Sequence, residues 1–172
     1  MIEPRPSLAV LNGNAALARQ HLARCCGSRK WVDAMLSRRP FRDGAHLQHC
    51  ASECFRGLRG EDWLEAFSHH PRIGELRSAP ALDATSRTWA QKEQSGAAQA
   101  DDQTRAALAE GNRQYEAKFG HVFLVCASGK AGEQMLRVLE ERMRNDPQTE
   151  LAIAAAEQEK ITRLRLEKLL SP

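Results

Sequence analysis

His70 sits in the run Ser68-His69-His70-Pro71-Arg72-Ile73-Gly74, where a helical pattern meets a proline. Pro71 cannot donate the backbone N–H that a continuing helix needs, so the helix stops there. An imidazole is thereby set at a helix-to-loop junction, facing whatever the loop encloses. Histidine changes protonation near neutral pH, which suits a group that gives or takes a proton during a reaction. The position also suits a capping or surface histidine, common at helix ends.

Glu93 belongs to a second stretch, Trp89-Ala90-Gln91-Lys92-Glu93-Gln94-Ser95-Gly96. Trp89 and Glu93 are four residues apart and share one helix face. A carboxylate beside an indole on a core-directed face needs a partner, and its pKa tends to rise. Read as chemistry, Glu93 is a site carboxylate; read as architecture, it is a solvated residue on a polar face. Near the C-terminus, Arg165 is four residues from Ile161 and from Leu169, whereas Arg163 aligns with Glu159, Lys160 and Glu167. Helical spacing therefore turns Arg165 toward the packed side and Arg163 toward water. A half-buried guanidinium needs an anionic or carbonyl partner. Glu150, Glu157 and a bound substrate are the alternatives.

These residues need elements to hold them. Ala, Leu, Arg, Glu and Gln are plentiful, aromatics are 5%, and long Val/Ile/Thr runs are absent, so helix signals dominate. Asn12 or Asn14 caps a first helix through about Cys26. Ser28 starts a short second one over 28–36, closed by Arg38-Arg39-Pro40. Further helices fit 43–57, with Asp43 at the start, and 61–69, stopped by Pro71. Residues 71–86 read as a loop, after which Thr85 or Ser86 caps a helix through about Gly96. Asp101 or Asp102 opens a long helix ending at Phe119-Gly120. Leu108, Asn112, Tyr115 and Phe119 form one seam on it, read as core packing. Helices at about 131–144 and 147–169 follow, with Pro147 suited to a first turn.

Residues 122–126 (Val-Phe-Leu-Val-Cys) are the one strand-like run, too short and solitary for a sheet, and read as a buried connector. Its N–H and C=O groups need partners, and a ligand rich in amides is a candidate. Helix following helix through short turns predicts an all-α, single-domain bundle over 1–172.

Taken in order, these stretches resemble the 2-oxo-4-hydroxy-4-carboxy-5-ureidoimidazoline (OHCU) decarboxylase family. The likeness runs from Leu11-Asn12 through Trp31, Arg39-Pro40-Phe41, His70-Pro71, Trp89 with Glu93-Gln94, and Tyr115 with Lys118-Phe119-Gly120. It continues through Arg142 and Asn145-Asp146 to Leu164-Arg165-Leu166. Each piece is weak alone; the ordered set is specific. The resemblance implies an all-α fold, a homodimer, no metal and no organic cofactor. It implies decarboxylation of a ureidoimidazoline carboxylate to (S)-allantoin in urate degradation. His70 becomes the proton donor and Glu93 its acidic partner. Pro71, Gln94, the backbone from Val125 to Ser128, and Arg165 become substrate contacts. The reading requires imidazole, carboxylate and guanidinium to converge on a common cavity.

Two positions depart from the family pattern. Members usually carry Ser three residues before the glutamate. Here it is Ala90, so a hydroxyl contact is absent or passes to Ser86, Gln91 or water. After Phe119-Gly120 an apolar aromatic is usual. Here it is His121, as a pocket substitution or an exposed position.

Bulk properties set the exclusions. With 25 basic and 22 acidic side chains, the net charge of +3 is too balanced for nucleic-acid binding by electrostatics alone. No apolar run approaches the roughly 20 residues that span a bilayer. The start Met-Ile-Glu-Pro-Arg-Pro lacks the features of a secretory signal. Five cysteines at irregular spacing fit reduced thiols in a cytoplasmic setting. Two rivals stand beside the enzyme. One is a small metal-binding helical protein using His46, His49, Cys50 and Cys54, with 46, 50 and 54 along one helix face. The other is a non-catalytic interaction module of the same fold, favoured by Ala90.

Overall fold

The computed structural model describes residues 7–75 and 83–171, and among these every regular element is a helix. The order is α1 (Leu8–Asn12), α2 (Ala15–Cys25), α3 (Arg29–Ser37), α4 (Gly44–Arg56), α5 (Gly60–Ser68), α6 (Ala84–Glu93), α7 (Ser95–Gln99), α8 (Asp102–Phe119), α9 (Gly132–Arg142) and α10 (Pro147–Leu170). The protein is all-α, as the residue pattern predicts.

Local chemistry explains most boundaries. A helix begins with unpaired N–H groups, and a short polar side chain at the cap position accepts from them. Asn14, Ser28, Asp43 and Asp101 do this for α2, α3, α4 and α8. Asn12 instead ends α1, and its carboxamide accepts from Phe41 N–H and donates to the Phe41 carbonyl. Helix α8 closes on Gly120 at φ +75, a left-handed conformation that glycine adopts without a Cβ clash.

Two expectations near residue 90 need correction. The cap of α6 is Asp83, whose carboxylate accepts from Ser86 N–H; Thr85 and Ser86 lie inside the first turn. The helix also stops at Glu93, and α7 starts afresh at Ser95. Part of the loop expected over 71–86 falls on 76–82, outside the described residues.

The chain divides into two compact units. One takes the described residues of Met1–Ala66 with Glu159–Pro172; the other takes those of Phe67–Gln158. In the first, Trp31, Met35, Leu22 and Leu47 are fully buried, and the Trp31 indole donates to the Ala51 carbonyl at 3.1 Å. In the second, Ile73, Ala97, Leu108, Tyr115, Phe123, Val125, Ala127, Met135 and Leu139 make one apolar core. No helix among the described residues is long and apolar enough to cross a membrane.

Candidate active site

In the second unit α5 ends at Ser68 and the chain turns through His69 and His70 into the loop. His69 is exposed, while His70 is 8% exposed and Pro71 is buried. The His70 N–H donates to the Phe67 carbonyl at 3.0 Å, which holds the imidazole at the helix end. A surface position for His70 is therefore overturned.

The loop that follows is held from two helices. Arg72 makes a two-point ion pair with Glu116 on α8, Nε to Oε1 at 2.6 Å and Nη2 to Oε2 at 2.8 Å. Two parallel charge-assisted bonds fix orientation as well as distance. Asn112, fully buried, donates from Nδ2 to the Ile73 carbonyl at 2.9 Å. Gly74, at φ +82, donates its N–H to Oε1 of Gln94 at 3.1 Å.

That last contact brings the His70 loop to the end of α6, where Glu93 and Gln94 are adjacent. Glu93 is half-buried and Gln94 is 7% exposed. Oε1 of Gln94 thus ties the loop to the end of α6. Gly96, two residues on, lets α7 approach the connector. A Cβ there would lie 1.9 Å from the Lys130 carbonyl oxygen, so no side chain fits.

The connector 121–131 is non-helical and largely buried, with Val125 and Ala127 in the core and Ser128 exposed. Three of its backbone groups find side-chain partners. Arg142 Nη1 donates to the Leu124 carbonyl, Cys126 N–H donates to Glu157 Oε2, and Lys130 Nζ donates to the Cys126 carbonyl, each at 2.7 Å. Burial raises the Cys126 thiol pKa; Lys130 opposes the rise, and the Glu157 and Glu93 carboxylates add to it. Behind the connector, Arg142 is buried on Glu150, with Nε to Oε1 at 2.7 Å, and Tyr115 donates its hydroxyl to the same carboxylate. Burial and the bond to Glu150 both push the Tyr115 phenol pKa up.

The structure thus joins the 70–74 loop, the 93–97 corner and the 125–127 backbone, since Ile73, Ala97, Val125 and Ala127 share one core. Arg165 belongs to the first unit. It is 7% exposed, Arg163 is exposed, and the helix-face assignment holds. Its Nη1 donates to the Arg24 carbonyl at 3.3 Å. Of the acidic partners that spacing offered it, Glu150 is engaged by Arg142, Tyr115 and Asn145, and Glu157 accepts from Cys126.

Both departures from the family pattern are buried. Ala90 is 2% exposed, and Ser86, one turn before it on α6, is also buried, whereas Gln91 is exposed. His121 is 9% exposed and packs among Phe67, Tyr115 and Phe119, with ring centroids at 5.2, 5.5 and 6.3 Å. The exposed alternative for His121 is therefore overturned. No group of three or more His, Cys, Asp or Glu placed to hold a metal ion occurs among the described residues. On α4, His49 is exposed, Cys50 and Cys54 are buried, and His46 Nδ1 accepts from Arg42 N–H.

Residue types alone did not flag Glu116, Asn112, Lys130 or Glu157 as members of this framework. Their partners lie 44, 39, 4 and 31 positions away. Only the Lys130 contact is local, reaching a carbonyl four residues before it.

Fold and site define an all-α protein with a polar site assembled from helix ends and loop backbone. Residues 13–167 match the OHCU decarboxylase family, and the chain belongs to that family. The uric acid degradation bifunctional protein TTL of Arabidopsis thaliana is 40% identical over 148 residues, which is 86% of this chain and 45% of that protein. The 2-oxo-4-hydroxy-4-carboxy-5-ureidoimidazoline decarboxylase of Amia calva is 31% identical over 138 residues, covering 80% of this chain and 78% of that one. The chain thus spans less than half of the Arabidopsis protein and most of the Amia enzyme. A crystal structure of OHCU decarboxylase in the presence of (S)-allantoin superposes with a TM-score of 0.76 at 35% identity, over 93% of this chain and 100% of that one. A crystal structure of (S)-allantoin synthase shares the fold, with a TM-score of 0.68 at 15% identity over 95% and 54% of the two chains.

Proposed function

We propose that the protein is a carboxy-lyase that converts OHCU to (S)-allantoin in urate degradation. Family membership supplies the reaction. The observation that carries it to this chain is the buried imidazole of His70, held at a helix end beside a loop tied to Gln94.

The substrate carries a hydroxyl and a carboxylate on one carbon of a five-membered ureido ring. Breaking the bond to the carboxylate releases carbon dioxide and leaves its electron pair on that carbon. The adjacent ring C=N takes up the pair as an enolate-like anion. A proton then arrives on one face of the ureido-bearing ring carbon, and the hydroxyl passes its proton to the ring nitrogen and becomes the carbonyl of allantoin. His70 donates the proton that reaches the ring carbon, and Glu93 supports its charged form. Gln94, Pro71 and the backbone from Val125 to Ser128 orient the ring, and Arg165 binds an anionic or carbonyl group of the substrate. Positioning and electrostatic stabilisation supply most of the barrier reduction. The ring is its own electron sink, so the chemistry asks for neither pyridoxal nor thiamine. Metal-free, cofactor-free action follows from that chemistry and from the family.

The family resemblance also supports a homodimer, and five free thiols support a reducing, cytoplasmic setting. The non-catalytic reading has Ala90 in its favour, but a pure scaffold has no need of a buried imidazole on a loop that is tied to Gln94. The test uses freshly generated OHCU and follows allantoin by circular dichroism. The wild type is expected to give an excess of the S enantiomer, where spontaneous decay gives a racemate. His70→Asn is expected to lose at least about a thousandfold in kcat with its fold intact. Near-normal turnover by that variant removes His70 from the mechanism.

A further inference from the structure

A peptide unit is planar and trans, so fixing its N–H also fixes the direction of the carbonyl on the same plane. The connector offers two successive planes held this way. Glu157 takes the N–H of Cys126, so the Val125 carbonyl on that plane points to the opposite side of the chain from Glu157. Lys130 takes the carbonyl of Cys126, so the Ala127 N–H on the next plane points away from Lys130. One acceptor and one donor are therefore preset within three residues.

The anchors differ in kind. Arg142, on the Leu124 carbonyl, is 6% exposed and pairs with a fully buried Glu150, so it carries the core as well as the connector. Glu157 is half-buried on α10, and Lys130 is half-buried on the connector itself. Glu157 reaches from α10 to the Cys126 amide at 2.7 Å and fixes the direction of that amide.

We propose that Glu157 is a positioning residue of the site, acting through the Cys126 peptide to set the Val125 carbonyl and the Ala127 amide against the amide edge of a cyclic ureido ligand. The proposal rests on the function proposed above. It accounts for a carboxylate near a site meant for an anion. The negative charge of Glu157 repels the substrate carboxylate, and the hold on the loop amide compensates for that repulsion. Lys130, on the carbonyl of the same residue, offsets the charge.

Glu157→Met keeps the length of the side chain and removes the acceptor. Glu157→Gln keeps an acceptor oxygen and removes the charge. Glu157→Ala is a second variant without an acceptor. Steady-state kinetics on OHCU and amide hydrogen exchange at Cys126 are measured for all three. Met and Ala are expected to raise KM about tenfold or more, with kcat changed less, and to speed Cys126 exchange. Gln is expected to keep exchange slow and to hold KM at or below the wild-type value. A purely structural role would not be rescued in KM by Gln while Met fails. Unchanged KM in Met and Ala despite faster exchange overturns the proposal, as does a Gln variant as impaired as Met. A wild type without turnover overturns the assigned reaction instead, and the clamp is then decided by Cys126 exchange alone.

Discussion

At the scale of single residues, burial separates neighbours that the linear sequence presents as alike. His69 and His70 are adjacent, and only the second is buried; Arg163 and Arg165 are two apart, and only the second is buried. A helix repeats every 3.6 residues, so neighbours two positions apart face different surroundings. Arg165→Ala is therefore expected to lower kcat/KM for OHCU by about a hundredfold or more, and Arg163→Ala by less than about threefold. Equal effects would refute the assignment of Arg165 to the substrate. Next to Arg165, Cys26 supplies a pH-dependent measure of the first unit. Burial pushes its thiol up to about 11 from the ordinary 9.0, against the lowering influences of Ser28, Thr162 and Arg165. The folded chain thus holds the proton more tightly than the unfolded chain. The contribution is fully present below pH 9 and is lost as pH rises toward about 11. Unfolding free energy is expected to fall by about 2–3 kcal/mol across that window, and by less in Cys26→Ala. Urea titrations on the two sides of the window check the difference.

At the scale of elements, what was legible in the sequence was what is caused locally. Asn14, Ser28, Asp43 and Asp101 mark helix starts because a cap acts on amides two or three residues away. The break between α6 and α7 was not legible, because its cause lies at Lys130. With Gly96 against the Lys130 carbonyl, α7 packs backbone to backbone on the connector, and Gly132 continues the approach against Ala100. The corner that carries Glu93 and Gln94 is set by that contact and not by helix propensity. The sequence offers Glu157 only as a candidate partner for Arg165. Its contact with Cys126 joins residues 31 apart in sequence and leaves no periodic trace. Gly96→Ala is expected to destabilise the protein by about 2–3 kcal/mol, since rigid backbone rather than a movable side chain opposes the new methyl. Gly111→Ala meets only the end of the Leu139 side chain and is expected to cost clearly less. Denaturant midpoints of the two variants compare them directly; similar midpoints would mean that α7 shifts freely.

At the scale of the whole molecule, the division into two units meets the continuity of two helices. Helix α5 runs from the first unit into the second, and the 24-residue α10 gives its first half to the second unit and its last half to the first. Helical hydrogen bonding is cooperative along a continuous segment, so loss of order at one end of α10 weakens the other. The units span 80 and 92 residues, a size at which a core standing alone is marginal. Both considerations favour a single folding unit. The tryptophans allow the point to be tested, because Trp31 and Trp63 belong to the first unit and Trp89 to the second. In a variant that keeps only Trp31 and another that keeps only Trp89, fluorescence is expected to give urea midpoints that coincide with far-UV circular dichroism. Separate midpoints would show two folding units.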